Sequence, residues 1–321
     1  MSYESKMLQQ LAMPTRKQVE QVLLRTLFKH GGVIKEFAAG QDIVSEMADG
    51  FELNERQRSA FLKTIYRKQN RAKKAFLWHR LLFRAADALA QEKMVSRPTQ
   101  TLQLTKRREW MLTEKGFDEA LKLCNIPAAR KDSFPIKSYE VQKVVKKLVE
   151  SPKPENYDPV DRSKHITKTT RASALRDRGF RQAVIEAYSF RCAVCGLTIK
   201  SPDSLSWEVE AAHIVPNRSL GRDDLWNAIA LCHLHHWAFD VGWFTLLDNY
   251  HIQVSPQICH LPAEFGKMGD YEFIRSLADR TAKVYLPERN HIHPHCNAIR
   301  GHRQNVFEKQ TVTCKGAPCE E

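Results

Sequence analysis

The 321-residue sequence contains no run of the about twenty consecutive apolar residues that a bilayer-spanning helix needs, and its first ten residues form no apolar signal segment. These two absences argue against a helical membrane protein and predict a soluble, cytoplasmic one. There is no internal repeat and no low-complexity tract, which excludes a solenoid or repeat array. A disulfide framework is missing as well. Of the eight cysteines, at 124, 192, 195, 232, 259, 296, 314 and 319, only Cys192 and Cys195 are two residues apart, and nothing points to a secreted chain. Acidic residues are in short supply, with 37 Asp and Glu against 50 Lys and Arg, for a net charge of +13.

What is present is ample material for folded cores. Apolar residues make up 42% and charged residues 27%, which excludes a mainly disordered chain, and the length suggests two domains. The charge is uneven. Residues 1–125 carry a net +9, residues 126–190 a net +6, and residues 191–321 a net −2. A basic binding region attached to a nearly neutral module is the organisation this implies, and a polyanion such as nucleic acid is the partner it suits.

In the first region Val19, Val22, Leu23 and Leu27 fall on one helical face, which His30-Gly31-Gly32 ends. A second short helix is expected near Lys35 to Met47. Asn54 and Gln57 have capping-box spacing and open an expected basic helix holding Arg67, Lys68, Arg71, Lys73 and Lys74. Leu77, Leu81, Leu82, Ala85 and Leu89 form the stripe of a further helix, with His79, Arg80 and Arg84 elsewhere around it. This is the candidate recognition helix. Strand-like runs follow at Met94-Val95-Ser96, Thr101 to Leu104 and Trp110-Met111-Leu112, the last two separated by a basic tip with Lys106, Arg107 and Arg108. Helices followed by a hairpin of this kind resemble the N-terminal winged-helix domain of Mrr-type restriction proteins, over roughly residues 14–123, within an expected domain at 14–125. The resemblance implies one helix in the major groove of double-stranded DNA and a wing on the neighbouring backbone. A winged helix used for protein contacts is the alternative.

Residues 126–165 read as a linker that contains an amphipathic helix with Val141, Val144, Val145 and Leu148. The helix-breaking Ser151-Pro152-Lys153-Pro154 stretch follows it.

The chemistry concentrates between Phe180 and Asp248. Cys192-Ala193-Val194-Cys195-Gly196 is a turn that can aim two thiolates at one metal, and Cys232-His233-Leu234-His235 supplies a second pair at the same spacing. Cys192, Cys195, Cys232 and His235 are therefore expected to form a closed structural zinc site. Between and after these pairs stand a strand with His213, then Asn227 before an apolar run, then a helix with His236 and Asp240.

This order resembles the HNH endonucleases, built on a ββα-metal core, and the Glu210-Ala211-Ala212-His213-Ile214-Val215-Pro216 string is similar to a subgroup found in restriction endonucleases. The resemblance covers about residues 172–308, within an expected nuclease domain at 166–310 followed by a tail at 311–321. The fold class expected is thus α+β: a winged helix plus a zinc-stabilised nuclease domain. By this resemblance His213 is the general base, Asn227 a positioning residue, and His236 with Asp240 the ligands of a catalytic Mg²⁺ or Mn²⁺. Many HNH sites carry an Asp or His directly before the base; here Ala212 stands there, and Glu210 is offered as the longer-reaching substitute. The resemblance implies a restriction-type DNA endonuclease, modification-dependent in some relatives, and a homodimer for double-strand cleavage. A zinc-containing regulator with an inactive HNH fold, or a homing or phage nuclease, stays open. His291, His293 and His295 are expected in a solvated loop, and Trp226, Trp237 and Phe239 in the core.

Overall fold

The computed structural model describes residues 3–37, 41–66, 71–163, 171–256 and 283–309, apart from the side chains of 41, 63–66, 71–74, 171 and 172. The chain divides into two compact units, Met1–Lys143 and Val144–Glu321.

The first unit begins with helices α1 (Tyr3–Gln10) and α2 (Arg16–Lys29), strand β1 (Val33–Lys35) and helix α3 (Gln41–Gly50). Thr15 and Gln18 satisfy the first free amides of α2 in a capping box, and Gly31 and Gly32 take positive φ where the chain leaves it. Lys35 thus sits in a strand and not in the expected second helix.

The basic helix expected after Asn54 is a second correction. The Asn54–Gln57 capping box forms, but α4 (Glu55–Ser59) stops after five residues. Strands β2 (Phe61–Tyr66) and β3 (Arg71–Phe76) then pair antiparallel, with Phe61 opposite Phe76 and Tyr66 opposite Arg71. Arg71, Lys73 and Lys74 are strand residues, whereas Arg67 and Lys68 lie outside the described residues. The reason is local: the Phe61-to-Tyr66 run carries aromatic and β-branched residues that suit a strand, and pairing with β3 outweighs the helix that the cap begins.

Helix α5 (Leu77–Gln91) forms as its stripe predicts, burying Leu77, Trp78, Leu81, Leu82, Ala85, Ala86 and Leu89, with the Trp78 indole donating to the Val44 carbonyl at 3.0 Å. Beyond strand β4 (Val95–Ser96) the expected strand at Thr101–Leu104 is instead helix α6 (Pro98–Thr105). Pro98 at its first turn has the backbone angle of a helix start, and Gln100 accepts from the Arg97 amide at 2.9 Å. Lys106 closes α6 in a left-handed conformation, so Lys106, Arg107 and Arg108 lead from a helix into strand β5 (Glu109–Leu112) and are not the tip of a hairpin. β5 is nevertheless central: the three-stranded sheet has the order β1-β5-β4, with Ile34 opposite Trp110 and Val95 opposite Leu112. Helix α7 (Glu114–Leu123), capped by Thr113, brings Phe117 against Phe28 at 5.9 Å.

Helix α8 (Tyr139–Glu150) spans the division between the units. In the second unit α9 (Arg171–Ala187) packs against the antiparallel pair β6 (Val209–His213) and β7 (Ala228–Cys232). β7 is buried along its whole length and runs straight into helix α10 (His233–Asp240). A second pair, β8 (Phe244–Leu246) with β9 (Ile252–Val254), and helix α11 (Cys296–His302) complete the unit. Phe180, Val184, Ile229, Leu231, Phe239 and Phe244 form its core. The chain is therefore α+β, and among the described residues no helix is long and apolar enough to cross a membrane.

Candidate metal centre and active site

The metal centre is assembled by backbone pairing. The Ala193 amide donates to the Ala230 carbonyl at 2.8 Å, pinning the Cys192–Cys195 turn onto β7, and Gly196 closes the turn at φ +77°. Cys232 ends β7, and His235 lies in the first turn of α10, so both pairs converge. The three sulfurs and a His235 nitrogen all lie within 4.8 Å of one another, with Cys232 Sγ 3.1 Å and Cys192 Sγ 3.5 Å from His235 Nδ1. Cys195 Sγ and Cys232 Sγ are 4.0 Å apart. Tetrahedral zinc with sulfur bonds of about 2.3 Å sets its sulfurs roughly 3.8 Å apart. Hydrogen bonds from Cys195 and Cys232 draw the Cys192 thiol far below its ordinary range, and those with Cys192 and Cys195 push Cys232 upward. A buried Cys3His set with this spacing fits a structural zinc ion. Among the described residues it is the one cluster of three or more such donors.

His213 stands at the end of β6, paired with Ala228 across the sheet. Its ring stacks on Phe180 at 4.5 Å, and Nε2 is 2.9 Å from the Asp223 carboxylate. A carboxylate ten residues downstream thus holds the ring. Asp223 carries no motif signal, because it sits in a loop whose approach to the strand end is a matter of tertiary structure.

Asn227, fully buried, ties that loop down. Its Oδ1 accepts from the Val215 amide at 2.8 Å, and its Nδ2 donates to the carbonyls of Val215 and Arg222, both at 3.1 Å. Gly221 makes room for it: a Cβ there would fall 1.9 Å from the Val215 oxygen and 2.9 Å from Asn227 Nδ2. Asp224 accepts from the Asn227 and Trp226 amides and from the Tyr157 hydroxyl, the last at 2.6 Å, and burial raises its carboxyl above the usual range.

His236 and Asp240 do share a face of α10, with Nε2 3.6 Å from the Asp240 carboxylate. Glu210 approaches the opposite edge of the ring, 2.9 Å from Nδ1. Glu210 and Asp240 therefore address different nitrogens of one imidazole, while Ala212 is fully buried opposite Ile229. The hydrogen bond from His236 lowers Glu210, and the same bond raises His236 against its burial. His233 also joins Glu210, at 2.9 Å through Nε2, and meets Glu208 through Nδ1 at 2.8 Å.

Other candidates resolve differently. His291, His293 and His295 use ring nitrogens on the Val149 carbonyl, the Pro287 carbonyl and the Asn297 amide, so each is locally committed. Phe239 is core, but Trp237 is 50% exposed, a correction; the helix turns it outward. Cys259, Cys314, Cys319 and the tail at 311–321 lie outside the described residues. In the first unit Arg80 and Arg84 of α5 both bind the Glu4 carboxylate, at 2.8 and 3.0 Å, and Arg108 pairs with Glu36 at 2.6 Å. Burial pushes the His79 imidazole down.

Comparison with known proteins places this geometry. No curated protein matches the chain. Among solved structures it is similar to a protein described as a modification dependent TagI restriction endonuclease, at 23% identity and a TM-score of 0.28. That match covers 40% of this chain and 37% of the other, so the chain spans little more than a third of that protein's length. The model of the HNH endonuclease family matches residues 192–247, the stretch that holds the four zinc-type donors, His213, Asn227, His236 and Asp240. Residues 192–247 are an HNH endonuclease domain.

Proposed function

We propose that the chain is a restriction-type DNA endonuclease whose second unit hydrolyses phosphodiester bonds and whose first unit, a winged helix, selects the site in double-stranded DNA. The observation that carries the reading is the grouping of His213 with Asp223 at one strand end, above an Asn227 that fixes the intervening loop.

Water attacking phosphorus must give up a proton, and a half-buried imidazole is suited to take it. Asp223 occupies Nε2 of His213, which leaves Nδ1 to accept that proton, and the carboxylate stabilises the imidazolium that results. A divalent ion such as Mg²⁺ or Mn²⁺, held by His236 and Asp240, would offset the phosphate charge and assist the departing 3′ oxygen. Glu210, offered by the sequence as a ligand, better suits the task of holding the His236 ring from behind through Nδ1. Cys192, Cys195, Cys232 and His235 would hold zinc for structure alone.

For the first unit, the succession α2, β1, α3, α5, β4, β5, with α4, β2 and β3 intervening before α5 and α6 between β4 and β5, together with the sheet β1-β5-β4, supports the winged-helix reading, with α5 as the recognition helix. Its DNA contacts would come from His79, Arg80 and Arg84 on α5, from Lys106, Arg107 and Arg108, and from the hairpin that carries Arg71, Lys73 and Lys74. Dependence on modified bases and dimerisation for double-strand cleavage belong to the same proposal and rest on the resemblance of the sequence strings.

The test is cleavage of methylated and unmethylated plasmids with Mg²⁺ or Mn²⁺. His213→Ala is expected to lower the rate roughly 10²- to 10⁴-fold. Asp223→Asn is expected to lower it less, and both variants to keep wild-type DNA affinity. A wild-type chain that binds DNA but cuts none with any divalent ion points to the regulator with an inactive HNH fold. Equal cutting of both plasmids removes the modification requirement.

A further inference from the structure

Helix α5, the start of α6 and strand β5 enclose an open cleft of about 660 Å³ in the first unit. Its floor is aromatic. Trp110 lines it at 5% exposure and Phe83 at 38%. Phe37 braces both rings, edge-on to Phe83 at 5.1 Å and near-parallel to Trp110 at 5.8 Å.

The rim is basic. Arg16, Arg84, Arg97 and Arg108 line the cleft beside Glu36 and Asp87, and each has a carboxylate partner, Glu20 for Arg16 at 2.9 Å and Glu4 for Arg84 at 3.0 Å. Asp87 accepts from Arg97 Nε and a terminal nitrogen on a single oxygen, at 3.0 and 2.7 Å, and Glu36 accepts from Arg108 on both oxygens, at 2.6 and 3.0 Å. Such forks fix the guanidinium planes while using only part of their five donors. A purely anionic ligand has no use for a braced ring, and an apolar one has no use for four arginines. A planar aromatic group joined to phosphate uses both.

We propose that this cleft is a nucleotide site, taking one base against Phe83 with its adjoining phosphates on Arg84, Arg97 and Arg108. That the nucleotide belongs to the DNA substrate rests on the reading of this unit as the DNA reader. In that case the base has left the duplex stack, at a cost of a few kcal/mol, and single strands bind without that cost.

The test uses the full-length protein with two kinds of probe: fluorescein-labelled twelve-nucleotide DNA, single-stranded and duplex, read by anisotropy, and free dAMP and dCMP, read by saturation-transfer NMR. Phe83→Leu keeps the bulk of the side chain but removes the stacking face, and Phe83→Trp restores it; thermal melting checks that each folds. Base stacking of about 1–3 kcal/mol predicts that Phe83→Leu weakens single-strand binding roughly 5- to 150-fold and that Phe83→Trp recovers it. If only mononucleotide binding is lost, the site stands with a free nucleotide as its ligand. If the wild type binds dAMP in a Phe83-dependent way but no DNA, the site stands and the DNA-reader proposal falls. If DNA binding is the same in wild type and Phe83→Leu and no mononucleotide binds, the site falls and the reader proposal stands. Binding of neither probe overturns both.

Discussion

Replacing Asn227 with alanine removes three hydrogen bonds at a site with no access to water, those to the Val215 amide and to the carbonyls of Val215 and Arg222. A buried donor left unpaired costs about 1–3 kcal/mol, and carbonyls, with two lone pairs, lose less. The sum expected is about 3–4 kcal/mol. For a unit of this size about 2–4 °C of melting temperature follows each kcal/mol, so the transition of the second unit should fall by roughly 10 °C. Calorimetry on the whole chain measures this, with zinc release followed in parallel so that the transition is assigned to the right unit. Asn227→Asp retains the acceptor for the Val215 amide but turns a carboxylate toward two carbonyl oxygens, and is expected to cost at least as much. Gly221→Ala provides an independent approach, because its Cβ would collide with the Val215 oxygen. Cleavage should fall in all three, since the loop they disturb joins the strand end of His213 to Asp223. A melting point within 2 °C of wild type for Asn227→Ala, with cleavage intact, refutes the argument.

Three further outcomes are expected. Wild-type protein carries one zinc ion per chain by elemental mass spectrometry, whereas Cys232→Ser loses it and with it the second unit, because structural zinc contributes about 10–16 kcal/mol in small modules; a folded, metal-free Cys232→Ser chain contradicts this. Burial pushes His302 down to about 4, between Thr245 and the Phe239 carbonyl, so between about pH 6.5 and 4 the unfolded chain binds a proton that the folded one refuses. Stability is full above that window and falls by up to about 3 kcal/mol as the pH drops through it, a slope in urea midpoints that His302→Gln should flatten. Glu4→Gln releases the carboxylate bridge to Arg80 and Arg84, which should tighten DNA binding and steepen its dependence on salt; unchanged affinity and slope show that these arginines do not meet phosphate.

The second unit was the more legible because metal ligands and strand periodicity leave marks in sequence. Cys192, Cys195, Cys232 and His235 show their spacing openly, and a buried run before a helix announces β7 and α10. Asp223 and His233 left no mark, since each gains its meaning from a partner brought close only by folding. In the first unit the amphipathic stripe of α5 was sufficient, but local signals competed elsewhere. Asn54 and Gln57 start a helix that the β2–β3 pairing cuts short, and the alternation at Thr101–Leu104 imitates a strand in a segment that Pro98 commits to helix. The Glu4 contact joins residues 76 and 80 positions apart, beyond any local pattern.

The convergence of the two ligand pairs has a topological consequence. An ion shared by Cys195 and Cys232 closes a loop of roughly forty residues, restricting the unfolded chain by about 4 kcal/mol if it acts as a covalent clip would. His213, Asp223 and Asn227 all lie inside that loop. A peptide bond cut between residues 199 and 206 would therefore leave two fragments still fastened by the metal, with His213 and Asp223 on the same piece. Withdrawing the ion would let the two fragments part, so the supply of metal, and not the integrity of the chain, would decide whether the Cys192–Cys195 turn stays fastened to the piece that carries His213.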